Sequence, residues 1–79
     1  MDQKQMETLI SAGVVEQVVA VRAEEAWECW VHGERVPQDL GNRIRSSRAG
    51  KEIRTWASLD TLHRWVRERG WGLAMEVEG

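Results

Sequence analysis

Apolar residues in the C-terminal third of the chain change from an alternating to a helical spacing. Residues 52–57, EIRTWA, alternate and are rich in strand-forming types, which predicts a strand. Apolar side chains then recur every three or four positions, as on the buried face of a helix. Ser58 suits the N-cap of that helix, Gly70 suits its end, and residues 71–77 are predicted to return as a strand. The buried helix face consists of Leu59, Leu62, Trp65 and Val66.

The N-terminal part of the chain predicts one helix followed by a β-hairpin. Residues 3–12 carry apolar side chains on one side, which is typical of a helix packed on a core. Residues 14–23 are rich in β-branched types at odd and even positions, which predicts a central strand. Residues 26–32 alternate as its partner, whereas residues 37–42, PQDLGN, have the composition of a loop. One face of the second strand carries Trp27, Cys29 and Val31, and the other carries Glu28, Trp30 and His32.

Taken in order, these elements predict a single α+β domain over residues 1–79. Its expected form is αβββαβ: a small antiparallel sheet of three to four strands, an N-terminal helix, and a second helix before the last strand. A short additional strand is predicted around residues 43–45, and residues 46–50 suit the tip of a second hairpin. Trp27 and the apolar face of the second helix are assigned to the core, so their substitution is expected to cost stability.

Composition narrows the class of protein further. The chain has five tryptophans and no tyrosine or phenylalanine, so indole rings are expected to dominate the core. Cys29 is the only cysteine, which excludes an intrachain disulfide and a cysteine-based metal cluster and favours a reducing, cytoplasmic setting. The sequence contains neither a signal-like segment nor an apolar run of membrane-spanning length, so no membrane partner is expected.

Charge is distributed unevenly along the chain, although the net charge is only −2. Residues 1–42 carry three basic and eight acidic side chains, whereas residues 43–69 carry eight basic and three acidic ones. A basic hairpin of this kind can contact phosphates, and Trp30 or Trp56 would add a stacking surface if exposed. A solvated hairpin, a docking surface for a protein, and a homodimer that pairs acidic with basic surfaces are alternatives. The candidate binding residues are Arg43, Arg45, Arg48, Lys51 and Arg54.

Catalytic chemistry has little support in the sequence. Cys29 and His32 are an odd number of residues apart on one strand and therefore point to opposite faces, which disfavours a nucleophilic pair. No zinc-like ligand spacing and no nucleotide-binding glycine motif is present, so neither a metal nor a cofactor is expected. We therefore expect a protein that acts by binding and not as an enzyme.

The segments AVRAEEAWECWVHGER and RAGKEIRTWASLDTLHRWVRERG resemble the small ParC-like partition-associated proteins of plasmids and integrative elements. The resemblance spans residues 14–79, with VPQDLGNRIRSS resembling an insertion. It implies a role in maintaining a mobile element, with DNA or a partition protein as partner and no catalytic residues. Small mobile-element inhibitors, such as anti-CRISPR proteins that bind a host nucleoprotein complex, are the alternative class. The matching positions are Val15, Val18, Ala20, Val21, Trp27, Arg54, Trp56, Leu59, Asp60 and Thr61.

Overall fold

The computed structural model describes residues 1–46 and 52–79 and confirms the α+β class and the predicted order of elements. A short 3-10 turn, Gln38–Leu40, lies in the long connection between the second and third strands. The helices are α1 (Gln3–Ser11) and α2 (Leu59–Glu68), and the strands are β1 (Gln17–Ala23), β2 (Ala26–His32), β3 (Thr55–Trp56) and β4 (Glu76–Glu78).

The four strands form one sheet in the order β3-β2-β1-β4, so β1 is an interior strand as predicted. β1 and β2 pair antiparallel over their full length, and β2 and β3 also pair antiparallel, both as expected. β4 instead pairs parallel with β1, which makes the sheet mixed. The reason is topological: the connection through α2 carries the chain from the β3 edge to the opposite edge, where β4 runs in the same direction as β1.

Both helices begin at side chains that cap their free backbone N–H groups. Asp2 Oδ1 accepts a hydrogen bond from the Gln5 N–H at 2.8 Å, and Gln5 Oε1 accepts one from the Asp2 N–H at 3.0 Å, which forms a capping box. Ser58 Oγ accepts from the Thr61 N–H at 3.2 Å, and Gly70 follows α2 with a φ of 105°, so both predicted helix ends are confirmed. Among the described helices, none has the length and hydropathy needed to span a bilayer.

One face of the sheet is covered by the helices and forms the core. Cys29 and Val31 of β2 are fully buried on this face, together with Val18 and Ala20 of β1. Trp56 lies on the same face and packs against Trp65 of α2, with ring centroids 5.0 Å apart. Of the residues assigned to the core, Leu62, Trp65 and Val66 are buried, whereas Trp27 and Leu59 are only partly buried.

β1, β3 and β4 are shorter than the sequence pattern predicted, whereas β2 has the predicted bounds of residues 26–32. The chain after α2 does not extend at once, because the Trp71 indole is buried in the core and the Trp71 N–H donates to the Val66 carbonyl at 3.3 Å. The predicted strand over 71–77 is therefore reduced to β4. β1 starts later than residue 14, since the Val14 N–H closes the end of α1 by donating to the Leu9 carbonyl. Residues that the pattern assigned to strands thus donate hydrogen bonds to the ends of the helices instead.

Candidate functional site

The predicted basic hairpin leaves the sheet between two short pairings with β2. Residues 42–44 pair with the C-terminal half of β2, and β3 pairs with its N-terminal half. Between these pairings, Arg45 bridges Ile53, and the Ser46 N–H donates to the Glu52 carbonyl at 2.9 Å. The short strand predicted around residues 43–45 is present only as isolated bridges at Arg43 and Arg45. We call residues 45–53 the basic arm.

Arg43 and Arg54 lie on opposite faces of the sheet, and Arg45 lines recesses beside both of them. The guanidinium carbon of Arg43 lies 5.4 Å from the ring centroid of Trp30, on the face of the sheet away from the helices. The guanidinium carbon of Arg54 lies 4.8 Å from the Trp56 ring and 5.0 Å from the Trp65 ring, on the helix-covered side. Arg48, Lys51 and most of the predicted tip at 46–50 lie outside the described residues.

A groove of about 410 Å³ lies between the base of the basic arm and the start of α1. Two of its lining residues are acidic, but both make contacts of their own. Asp2 caps α1, and the Glu7 carboxylate lies 3.9 Å from Arg69. The Asp2 carboxylate already occupies the positive end of the α1 dipole, so attraction of an anion depends on the cations of the groove. The lining residues are Asp2, Gln3, Lys4, Glu7, Arg45, Ser46 and Arg54.

Arg54 is the best-positioned cation of this groove. Its guanidinium lies over two indole rings, and these cation–π contacts hold the group in place. Within the described residues, no carboxylate lies within ion-pair distance of Arg54. A guanidinium has five N–H donors and stays protonated at any physiological pH. Arg54 can therefore offer a charged, bidentate contact to a phosphate or carboxylate.

The ammonium group of Met1 holds the backbone next to the basic arm. It donates to the Leu40 carbonyl at 2.7 Å and to the Arg43 carbonyl at 2.8 Å, and the Arg45 N–H donates to the Met1 carbonyl at 2.8 Å. Partial burial lowers the pKa of this ammonium group, and the nearby charge of Arg45 lowers it further. These three hydrogen bonds fix the position from which Arg45 projects.

The residues considered for catalysis or stacking are separated by the fold. Cys29 is buried on the covered face and burial raises its pKa to about 12, whereas His32 lies on the opposite face. No group of three potential metal ligands converges anywhere in the part of the chain that the structure describes. Trp56 is only 5% exposed, so the exposure that a stacking role would require is not met at this residue. Trp30 is partly buried and does not border the groove that contains Arg54.

Lys4 is the lining residue that sequence reasoning missed. It lies on α1, far from the basic arm in sequence, and reaches the groove only because α1 packs beside the base of the arm. No local pattern around Lys4 distinguishes it from an ordinary solvent-exposed residue of an amphipathic helix. Only the tertiary arrangement could have identified it.

Comparison with protein-family models, curated proteins and solved structures finds no match to this chain. The resemblance to ParC-like proteins therefore stays a prediction. Functional inference depends on the chemistry of the groove and of the sheet surface.

Proposed function

We propose that this chain is a non-enzymatic DNA-binding protein that holds backbone phosphates in the groove beside the basic arm. The observation that carries the proposal is Arg54, a guanidinium oriented by two tryptophan rings and without a carboxylate partner among the described residues. Lys4 and Arg45 line the same groove and add positive charge. By its resemblance to ParC-like proteins, the chain would serve the maintenance of a plasmid or integrative element.

The groove supports phosphate contact better than base recognition. Phosphate contacts from arginine and lysine supply sequence-independent affinity, whereas sequence is read from base edges. The partly exposed Trp30 lies on the other face of the sheet, so stacking of unpaired bases and contact with Arg54 would not occur together. We therefore expect a duplex to bind at least as tightly as a single strand. Arg48 and Lys51, on the same arm, are proposed to extend the contact.

The proposal is tested by exchanging one groove cation and one remote cation for glutamine. In fluorescence-anisotropy titrations with a labelled duplex, Arg54→Gln is expected to weaken binding about tenfold, since a hydrogen bond to a charged group contributes roughly 1.5–3 kcal/mol. Arg64→Gln is the matched control, because Arg64 is exposed on α2, outside the groove, and the net charge changes equally. Lys4→Gln should weaken binding without touching the tryptophan core.

Folding of each variant is checked by tryptophan emission and circular dichroism before binding is compared. Equal binding by wild type, Arg54→Gln and Lys4→Gln would remove the groove from the mechanism. No binding of duplex or single strand at low salt would contradict the whole proposal. That result would favour a protein partner instead, such as a partition protein or the host nucleoprotein complex of an inhibitor.

A further inference from the structure

The sheet face opposite the helices has an acidic edge, an apolar centre and a basic edge. Register places Glu76, Val19, Trp30 and Arg43 in one row across the four chain segments. Val19 is only 4% exposed but does not belong to the core cluster. The core cluster that the helices cover lies on the opposite face of the sheet. The next row consists of Glu78, Val21, Glu28 and Thr55, so it continues the acidic edge but has no basic one.

Trp30 is held in a fixed orientation at the centre of this face. Its Nε1–H donates to Glu28 Oε1 at 3.0 Å, and its ring stacks on His32 with centroids 6.2 Å apart. Arg43 lies over the same ring, and one guanidinium nitrogen is 3.6 Å from Glu28 Oε1. Because the indole N–H is satisfied within the chain, the surface that Trp30 presents is apolar. Ordered tryptophans of this kind are typical of the centres of protein interfaces.

We propose that this face packs against the same face of a second copy of the chain. A two-fold axis parallel to the strands, passing between β1 and β2, reverses the order of the strands in the partner. It places the β4 edge of one copy over the arm-bearing edge of the other, so that Glu76 faces Arg43 in both directions. Val19 then lies opposite Trp30 at the centre. The contact is isologous and closes as a dimer.

Charge complementarity favours a second copy over other occupants. The chain carries an acidic edge and a basic edge on the same face, and the two-fold operation matches each with its opposite. β1 and β2 have seven residues each, β3 has two and β4 has three, so at about 3.3 Å per residue and about 4.8 Å between strands the flat face measures roughly 300 Å². A contact of about 600 Å² over both copies is below the range of stable interfaces and belongs with weak, transient ones, so we expect a dissociation constant on the order of hundreds of micromolar.

Dimerisation through this face does not rest on the proposed DNA binding. Arg54 lies on the helix-covered side and stays accessible in the dimer, whereas Arg45 also lines a recess beside Trp30 and Arg43. Dimerisation can be measured in the absence of nucleic acid. Failure of one proposal therefore leaves the other intact.

The test uses two charge-reversal variants. Two copies of the same variant should repel each other, whereas one copy of each should be complementary. Sedimentation-velocity ultracentrifugation of the wild type over a range from micromolar to millimolar is expected to show a monomer–dimer equilibrium. Arg43→Glu and the double variant Glu76→Lys, Glu78→Lys should each raise the dissociation constant at least tenfold. An equimolar mixture of the two variants should dimerise again, since the reversed edges face each other. Val77→Thr is the control, because Val77 alternates to the other face of β4.

Restoration in the mixture also separates a loss of contact from a loss of folding. A wild-type chain that stays monomeric throughout the range would overturn the proposal. The proposal would also be overturned if either charge-reversal variant still dimerised alone, or if Val77→Thr weakened dimerisation as much as they do. A mixture of the two folded variants that stays monomeric would overturn it as well.

Discussion

Cys29 lies in the middle of β2 on the helix-covered face, and none of its surface is exposed. Burial disfavours the charged thiolate and raises the pKa of Cys29 from 9.0 to about 12. At neutral pH the side chain is therefore a small apolar group with little nucleophilicity. We attribute to Cys29 a packing role in the sheet and no chemical one.

The raised pKa of Cys29 predicts a loss of stability at alkaline pH. Above about pH 9 the thiol ionises in the unfolded chain but stays protonated in the folded one, so the free energy of unfolding falls as pH rises towards 12. Between about pH 8 and about pH 10 the expected loss is about 1.4 kcal/mol. Urea unfolding of wild type and Cys29→Ala at both pH values measures this loss of unfolding free energy, because the variant has no thiol to ionise. Equal pH dependence in the two proteins would show that the folded thiol ionises normally.

The tryptophans show how far single residues could be interpreted from the sequence. Alternation along β2 placed Cys29 and Trp30 on opposite faces correctly, because that relation depends only on strand geometry. The exposure of Trp56 could not be inferred in this way. It depends on Trp65, which packs on it from α2 across the core. Both rings also position Arg54, so its separation from Arg43 could not be predicted from the sequence either.

At the scale of elements, Gly33 sets how closely the end of β2 approaches the chain before β1. A Cβ atom there would overlap the Val14 carbonyl oxygen and lie 3.1 Å from Val36 Cγ2. Gly33→Ala is therefore expected to destabilise the fold by about 1–3 kcal/mol, as overpacked sites do. Gly72→Ala is the matched control, since a Cβ atom at Gly72 would have no neighbour within 4 Å among the described residues. Urea midpoints compare the two, and equal stability would mean that the backbone at Gly33 relaxes freely.

Helix ends were predictable from the sequence, whereas strand lengths were not. Ser58 and Gly70 act within one turn of α2, so local chemistry determines where that helix begins and ends. The extent of a strand depends on its partner. β4 is limited to three residues because Trp71 is held in the core before the chain reaches β1. Its parallel pairing likewise depends on which edge of the sheet the chain reaches after α2, and no local pattern carries that information.

At the scale of the whole molecule, folding divides the basic segment between two surfaces. Arg43 lies on the open sheet face and Arg54 lies in the groove near α1 with Lys4, whereas Arg45 lines recesses at both places. The sequence identified the charge excess but not this division, which depends on long-range pairing at the base of the arm. The division gives the molecule one side for the proposed DNA contact and another for the proposed dimer.

This division predicts the salt dependence of DNA binding. Three phosphate contacts by Lys4, Arg45 and Arg54 give a slope of about −2.7 for log K against log salt on duplex DNA, and contacts by the rest of the arm make it steeper. Arg54→Gln should make the slope about 0.9 less negative. Arg43→Gln should leave it unchanged, because Arg43 projects from the opposite face of the sheet. Anisotropy titrations at several salt concentrations, with protein kept below the dimer range, give these slopes. An equal effect of Arg43→Gln would mean that DNA contacts both faces at the arm-bearing edge, which would place it in competition with the second copy.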